Sequence, residues 1–108
     1  MTRWVATSLG TAPILQGTTI DAVFVEDNRL AGTAGCNRYS AACTIDGERV
    51  TVGPAVATRM YCGAPEGIME QEAAYLAALA TAATYRLEGT KLELRTASDE
   101  IAASFARA

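Results

Sequence analysis

Three cysteines are the residues whose chemistry is most visible in this sequence. Cys36, Cys43 and Cys62 leave spacings of 7 and 19, so there is no C-x-x-C pair of the kind used by thioredoxin-type redox sites and zinc knuckles. Without histidine, three thiols could bind zinc only with a carboxylate as fourth ligand, which is an uncommon set. One disulfide plus one free thiol is the more economical interpretation, and it would place the protein in an oxidising compartment. Three free thiols in the cytosol are the alternative.

The other groups suited to catalysis are sparse. Histidine is absent from the 108 residues, which removes the commonest general base and metal ligand. Glu70 and Glu72 are two positions apart on a predicted helix and point about 200° from each other, which disfavours an acid–base dyad. The sequence contains no serine nucleophile elbow, phosphate-binding loop or calcium loop. We therefore expect no catalytic residues, no cofactor, no metal site and no enzymatic activity.

For Asn37 and Arg59, a structural role competes with a binding role. Asn37 precedes a predicted strand, where a short amide commonly satisfies backbone groups at a tight turn; a ligand contact is the alternative. Arg59 lies in the otherwise uncharged stretch of residues 56–65 and could bind a carboxylate or phosphate through both guanidinium edges. We favour an ion pair from Arg59 to Glu72 or Glu70, which would join this stretch to the helix.

Short alternating segments predict strands arranged in hairpins. The predicted strands occupy residues 19–26, 29–33, 39–45, 48–52, 84–88 and 92–96, followed by a last strand that ends at Phe105. Asp46-Gly47 is a strong tight-turn signal between two of them. Cys43 shares one face of its strand with Tyr39 and Ile45, which favours a buried, inert thiol.

One helix is predicted at about residues 65–83. Pro65 suits its first turn because a missing N–H has no cost there, and Glu66 complements the positive end of the helix dipole. Apolar residues at helical spacing predict the face that packs on the sheet: Met69, Ala73, Leu76, Ala80 and Ala83, widened by Ile68, Tyr75 and Leu79. The opposite face is predicted to carry Glu66, Glu70, Gln71 and Ala77.

Composition excludes several classes of protein. Nine basic residues against twelve acidic ones give a net charge of −3, with a single lysine, Lys91, which disfavours nucleic-acid binding. No apolar run approaches the roughly 18 residues that a membrane-spanning helix needs. Half of the residues are hydrophobic and 19% are charged, which suits one folded core. The length predicts one domain, residues 1–108, and we expect a monomer.

Three ordered motifs resemble those of the META domain, or HslJ-like, family. Residues 32–40, GTAGCNRYS, are similar to its G-x-x-G-C-N-x-Y/F-x signature. Residues 57–62, ATRMYC, are similar to its A-T-R-M-A-C segment, and residues 69–79 to its M-E-Q-E-x-x-Y-L-x-x-L helix. Trp4 and the closing Phe105-Ala106-Arg107 fit the ends of the family. The resemblance therefore covers nearly the whole chain.

The resemblance implies both a fold and a disulfide. The implied fold is mainly β (α+β), a small antiparallel, partly open, barrel-like sheet with one packed helix. The implied disulfide joins Cys36 to Cys62. Cys43 stands where the family usually carries an aromatic residue, so pairings of Cys43 with either of the other two cysteines compete.

The family also implies a setting. Its members are typically exported or lipid-anchored bacterial proteins linked to stress response, antibiotic tolerance, motility or virulence, with no established catalytic activity. We therefore expect a non-enzymatic accessory domain of the cell envelope or secreted fraction that binds a protein or an envelope component. The first residues lack the charged and apolar regions of a secretion signal, so we expect a mature domain of a longer exported precursor.

A small-molecule carrier is the alternative function, with an apolar ligand held in a half-closed barrel beneath the helix. An apolar cavity of a few hundred cubic ångströms would favour the carrier. A filled core with an exposed apolar patch would favour the interaction domain.

Overall fold

The computed structural model describes residues 2–108 as ten strands and one helix. The helix, α1 (Ile68–Thr81), lies between the seventh and eighth strands. The strands are β1 (Arg3–Leu9), β2 (Ala12–Pro13), β3 (Asp21–Val25), β4 (Arg29–Thr33), β5 (Arg38–Asp46), β6 (Arg49–Val52), β7 (Val56–Ala57), β8 (Thr84–Glu88), β9 (Lys91–Arg95) and β10 (Ile101–Arg107).

Eight of these strands form a closed antiparallel barrel. Their order is β1-β3-β4-β5-β6-β8-β9-β10, and β10 pairs back onto β1 from Trp4–Arg107 to Leu9–Ala103. The two short strands lie outside the ring, β2 on β1 and β7 on β5. The mainly β fold with one packed helix is confirmed. The ring closes where the family resemblance implied a partly open sheet, and its thinnest seam is the single pair Arg49–Thr84 between β6 and β8.

Side chains that alternate between the inner and outer faces of the strands form the barrel core. The inner face of β5 buries Tyr39, Ala41 and Cys43, as the pattern of residues 39–45 predicts. Cys43 is the free cysteine of the described chain, and burial raises the pKa of its thiol. A thiol held in its protonated form is a poor nucleophile, which agrees with the inert role that its strand position favoured.

Helix α1 is confirmed, but it begins at Ile68 and ends at Thr81, where the sequence predicted about residues 65–83. Gly67 immediately before it has a φ of 89°, in the left-handed region that glycine adopts at little cost. The carbonyl of Pro65 accepts a hydrogen bond from the Ile68 N–H at 3.1 Å. Pro65 therefore forms a turn that leads into the helix and does not occupy its first turn.

The buried face of α1 differs from the predicted stripe. The structure buries Ile68, Gln71, Glu72, Tyr75 and Leu79, leaves Ala73 and Ala80 exposed, and half-buries Leu76. Gln71 was predicted on the solvent face, but its Oε1 accepts the Leu15 N–H at 2.8 Å and its Nε2 donates to Thr18 Oγ1 at 3.0 Å. Hydrogen bonds to distant loops therefore shift the buried face towards its polar residues.

Candidate functional site

A disulfide ties the segment before α1 to the turn after β4. It joins Cys36 to Cys62, with 5.9 Å between their Cα atoms. The pairing implied by the family motifs is confirmed, and the alternatives through Cys43 are wrong because that thiol lies on the inner face of β5. On the chain-entropy model, a bridge across this spacing stabilises the fold by about 3 kcal/mol.

Next to the disulfide, Glu72 of α1 holds the turn that carries Cys36. Its buried carboxylate accepts the backbone N–H of Cys36 at 3.1 Å and of Asn37 at 2.6 Å, both on Oε1. Its second oxygen, Oε2, accepts the side-chain amide of Asn37 at 2.7 Å. Hydrogen bonds to ionised groups are among the stronger ones in proteins, so these three donors compensate the carboxylate for its lost hydration.

Asn37 extends this network to the segment after β7. It is 2% exposed, and its Nδ2 also donates to the Met60 carbonyl at 3.1 Å. Its Oδ1 accepts the Thr58 hydroxyl at 2.8 Å and the Met60 N–H at 2.7 Å. All four hydrogen-bonding positions of the amide are therefore filled by the chain itself. We call the group formed by Cys36, Asn37, Thr58, Met60 and Glu72 the polar clasp.

Arg59 does not take part in the polar clasp. The ion pairs within residues 2–108 join Arg3 to Asp21, Glu93 to Lys91 and Arg95, and Arg95 to Asp99, so the predicted pair of Arg59 with Glu72 or Glu70 is wrong. For Glu72, the reason is that its carboxylate is already occupied by N–H donors. Arg59 itself is exposed, while Thr58 and Met60 on either side of it contact Asn37.

The second candidate region is a cavity of about 210 Å³ that we call the apolar mouth. Six strands contribute its apolar and aromatic lining, which consists of Trp4, Phe24, Ile45, Val50, Tyr85, Leu87, Leu92 and Leu94. Ile45 is 48% exposed and Leu87 is 53% exposed, so these two residues form its rim. An exposed apolar rim around an apolar cavity is typical of a surface that binds something.

The mouth opens where β8 extends past β6. The last hydrogen bond across this seam runs from the Tyr85 N–H to the Glu48 carbonyl at 3.0 Å. Beyond it, Arg86, Leu87 and Glu88 pair only with β9. The lining includes Ile45 and Val50 on one side of the seam and Tyr85 and Leu87 on the other.

Sequence reasoning did not single out the apolar mouth. Seven of its eight lining residues, all except Trp4, lie on predicted strands, and Ile45 is predicted on the same face as Tyr39 and Cys43. One feature of the sequence could have indicated the mouth. Ile45 is an apolar residue on the inner face, and it lies at the end of its hairpin, next to Asp46-Gly47. At that position a side chain has no further layer of the barrel above it.

Two kinds of feature are absent from the described residues. Residues 2–108 contain no group of three or more cysteine and carboxylate side chains placed to hold a metal ion. No helix in the same range combines the length and the hydropathy that a membrane span requires.

Comparison with known proteins identifies relatives of this chain. The META domain family model matches residues 1–108, and no curated protein matches the sequence. Among solved structures, an NMR structure of a protein has a TM-score of 0.74 at 24% identity, covering 97% of this chain and 87% of that one. The NMR structure of a protein from Burkholderia xenovorans has a TM-score of 0.73 at 23% identity, covering 99% and 81%.

A third structure resembles the fold more distantly. The crystal structure of a DUF4847 family protein from Bacteroides vulgatus has a TM-score of 0.59 at 18% identity, covering 81% of this chain and 57% of that one. At these identities the likeness between the structures is one of fold.

Proposed function

Since the chain belongs to the META domain family, we propose that it is a non-enzymatic binding domain whose apolar mouth receives an apolar group of a partner protein or envelope component. The observation that carries this proposal is a cavity lined by eight apolar and aromatic side chains, with Ile45 and Leu87 left exposed at its rim. Burying such surface against a partner is favourable by about 25 cal/mol per Å² of apolar area.

The size of the cavity favours an interaction domain over a carrier. Pockets that enclose whole small ligands have volumes of roughly 300–1,000 Å³, whereas the apolar mouth has about 210 Å³. A single large apolar side chain or a short acyl branch suits this volume. The lining also contains no residue of α1, so the cavity does not lie beneath the helix, where the carrier alternative placed its ligand.

The distribution of polar groups supports a role without catalysis. The oxygen and nitrogen atoms of Asn37 and Glu72 are occupied in holding the polar clasp together. In the apolar mouth, the polar atoms of the lining side chains are the Trp4 indole N–H and the Tyr85 hydroxyl. Neither region pairs a nucleophile with a general base, the arrangement on which acyl-transfer and similar chemistry depends.

The disulfide supports an extracytoplasmic setting for this role. Structural disulfides persist in oxidising compartments and are rare in the cytosol, and the Cys36–Cys62 bridge lies beside the polar clasp. We therefore propose an envelope or secreted location for the domain. Its membership of the META domain family, and not the disulfide, is the basis for the proposed accessory role in stress or antibiotic tolerance.

Capped amino acids test the binding role of the mouth. N-acetyl-leucinamide and N-acetyl-phenylalaninamide are titrated into the protein, with Trp4 fluorescence and the amide signals of Ile45, Val50 and Leu87 as readouts. We expect saturable changes at these positions and none with N-acetyl-asparaginamide. Val50→Phe should fill the cavity and abolish binding, whereas Val56→Phe, at a β7 residue that is 73% exposed, should leave it intact.

Three outcomes would contradict the proposed function. The first is a lack of change at the mouth with either apolar probe. The second is tighter binding of dodecanoate than of the capped amino acids, which would favour the carrier. The third is substrate turnover that a single substitution in the mouth or the clasp abolishes.

A further inference from the structure

The rim of the apolar mouth includes an unpaired strand edge. Strand β8 pairs with β9 along its whole length but with β6 only at Arg49–Thr84. Backbone groups of alternate residues face opposite neighbours in an antiparallel sheet, and the Tyr85 N–H faces β6. Leu87, two residues later, therefore directs its N–H and C=O towards the side where no strand follows. Unpaired groups on a strand edge are a template for another strand.

Opposite charges flank Leu87 on this edge. Side chains alternate between the two faces of a strand, so Arg86 and Glu88 lie on the outer face while Tyr85 and Leu87 line the mouth. Within residues 2–108 neither Arg86 nor Glu88 makes an ion pair. Glu93, which lies opposite Arg86, is bound by Lys91 and Arg95, and Lys91, which lies opposite Glu88, is bound by Glu93. The edge therefore presents one unpaired charge of each sign, symmetrically about an exposed leucine.

We propose that the occupant of this edge is a second copy of the chain, paired β8 to β8 in antiparallel orientation with Leu87 opposite Leu87. This proposal rests on the proposed function, because it names the partner of the same mouth. The two Leu87 residues exchange their N–H and C=O bonds. Arg86 of each copy then lies opposite Glu88 of the other, on the same face, at positions where Cα atoms are about 4.5 Å apart. The contact is isologous, as in most homodimers.

The charges specify this register and orientation over the alternatives. Centring the pairing on position 86 would place Arg86 opposite Arg86, and centring it on position 88 would place Glu88 opposite Glu88. Parallel pairing in register would also oppose like charges at both positions. Charged side chains often protect an edge by repelling a second copy, but here the antiparallel register centred on Leu87 brings opposite charges together.

Sedimentation equilibrium of the full chain, up to millimolar concentration, tests this pairing. The free edge spans only Arg86–Glu88, so we expect a weak dimer. Arg86→Glu and Glu88→Arg each place like charges opposite one another at both symmetric positions. We expect each variant alone to weaken self-association by about tenfold. An equimolar mixture of the two variants, and the double variant R86E/E88R, restore opposite charges at both positions and should associate as the wild type does.

Controls separate this result from a general effect of charge or folding. Arg59→Glu changes the net charge as much as Arg86→Glu does, at an exposed residue outside the mouth, and should leave self-association unchanged. A thermal melt of each variant checks that it folds. A wild type that stays monomeric, single variants that associate as the wild type does, or a mixture that does not associate would each overturn the dimer.

The probe titration distinguishes failure of the dimer from failure of the binding role. If the protein is monomeric but N-acetyl-leucinamide still perturbs Ile45 and Leu87, the mouth binds apolar groups and only the second copy is wrong. If neither self-association nor probe binding occurs, both proposals are wrong. If the dimer forms as proposed, the probe should compete with it and shift the equilibrium towards monomer.

Discussion

The polar clasp and the apolar mouth differ in how completely the chain satisfies its own groups. In the clasp, Asn37 uses all four of its hydrogen-bonding positions, and the Glu72 carboxylate accepts three hydrogen bonds. The Asn37 amide therefore has no hydrogen-bonding position left for a ligand. In the mouth, Ile45 and Leu87 remain exposed, and the edge of β8 beyond Tyr85 has no neighbouring strand. The chain therefore supplies the hydrogen-bonding partners of the clasp itself, whereas it leaves apolar side chains and a strand edge of the mouth uncovered.

This difference shows that conspicuous residues need not be functional ones. The motif residues Cys36, Asn37 and Glu72 attract attention because their types suit chemistry, yet all three hold the turn after β4 against α1 or the segment before it. Apart from Trp4, the mouth is built from ordinary apolar strand residues that no motif marks. Changes in the clasp should therefore cost stability, and changes at the rim of the mouth should alter binding with little effect on folding.

Replacing Asn37 tests the clasp at its centre and should have the largest effect on stability. Asn37→Ala leaves the buried Glu72 carboxylate without its amide donor and the Met60 N–H without its acceptor. We expect a loss of about 3 to 5 kcal/mol in the free energy of unfolding, measured by urea denaturation. Arg59→Ala, in the neighbouring segment, should change it by less than about 0.5 kcal/mol. Equal effects of the two changes would refute the assignment of the clasp.

Removing the disulfide tests the covalent part of the same region. Cys36→Ser combined with Cys62→Ser should lower the free energy of unfolding by about 3 kcal/mol, because the unfolded chain regains the entropy of an open loop. Alkylation of the wild type without reductant should label no cysteine in the folded protein and only Cys43 after unfolding. Labelling of all three cysteines in oxidised protein would contradict the bridge.

Much of the barrel could be predicted because strand patterns are local. The predicted strands at residues 29–33 and 84–88 match β4 and β8 residue for residue. The two-residue strands β2 and β7 are too short to show a period. The closure of β1 on β10 joins segments from opposite ends of the chain, and no local pattern encodes it.

The buried helix face and the mouth could not be predicted for related reasons. Gln71 and Glu72 are buried because they accept hydrogen bonds from the backbone N–H groups of residues 15, 36 and 37. A prediction based on the spacing of apolar residues places polar residues such as these on the solvent-exposed face. The mouth exists because β8 extends past the β5–β6 hairpin. How far β8 extends past this hairpin depends on the register between distant strands and not on any residue type.

The buried hydrogen bond between the Tyr39 and Tyr75 hydroxyls can be tested through the pH dependence of stability. The two oxygens are 2.6 Å apart, and burial raises the pKa of both tyrosines above the ordinary value of 10. Because the unfolded chain loses these protons first, the stability should be full below pH 10 and should fall as the pH rises above it. Tyr75→Phe should cost about 1 kcal/mol at neutral pH and flatten the alkaline decline. An unchanged alkaline slope would contradict this origin.

Leu87 gives the smallest expected effect on folding and the sharpest contrast with the clasp. Its side chain is 53% exposed, so Leu87→Ser removes little buried area and should change the free energy of unfolding by less than about 0.5 kcal/mol. Leu94 lines the same cavity but is 1% exposed, and Leu94→Ala should cost about 2 to 4 kcal/mol. The same Leu87→Ser protein should lose binding of N-acetyl-leucinamide, because the rim no longer covers the probe. If Leu87→Ser instead unfolds the protein as Leu94→Ala does, the rim belongs to the core, and the contrast between a complete clasp and an incomplete mouth is wrong.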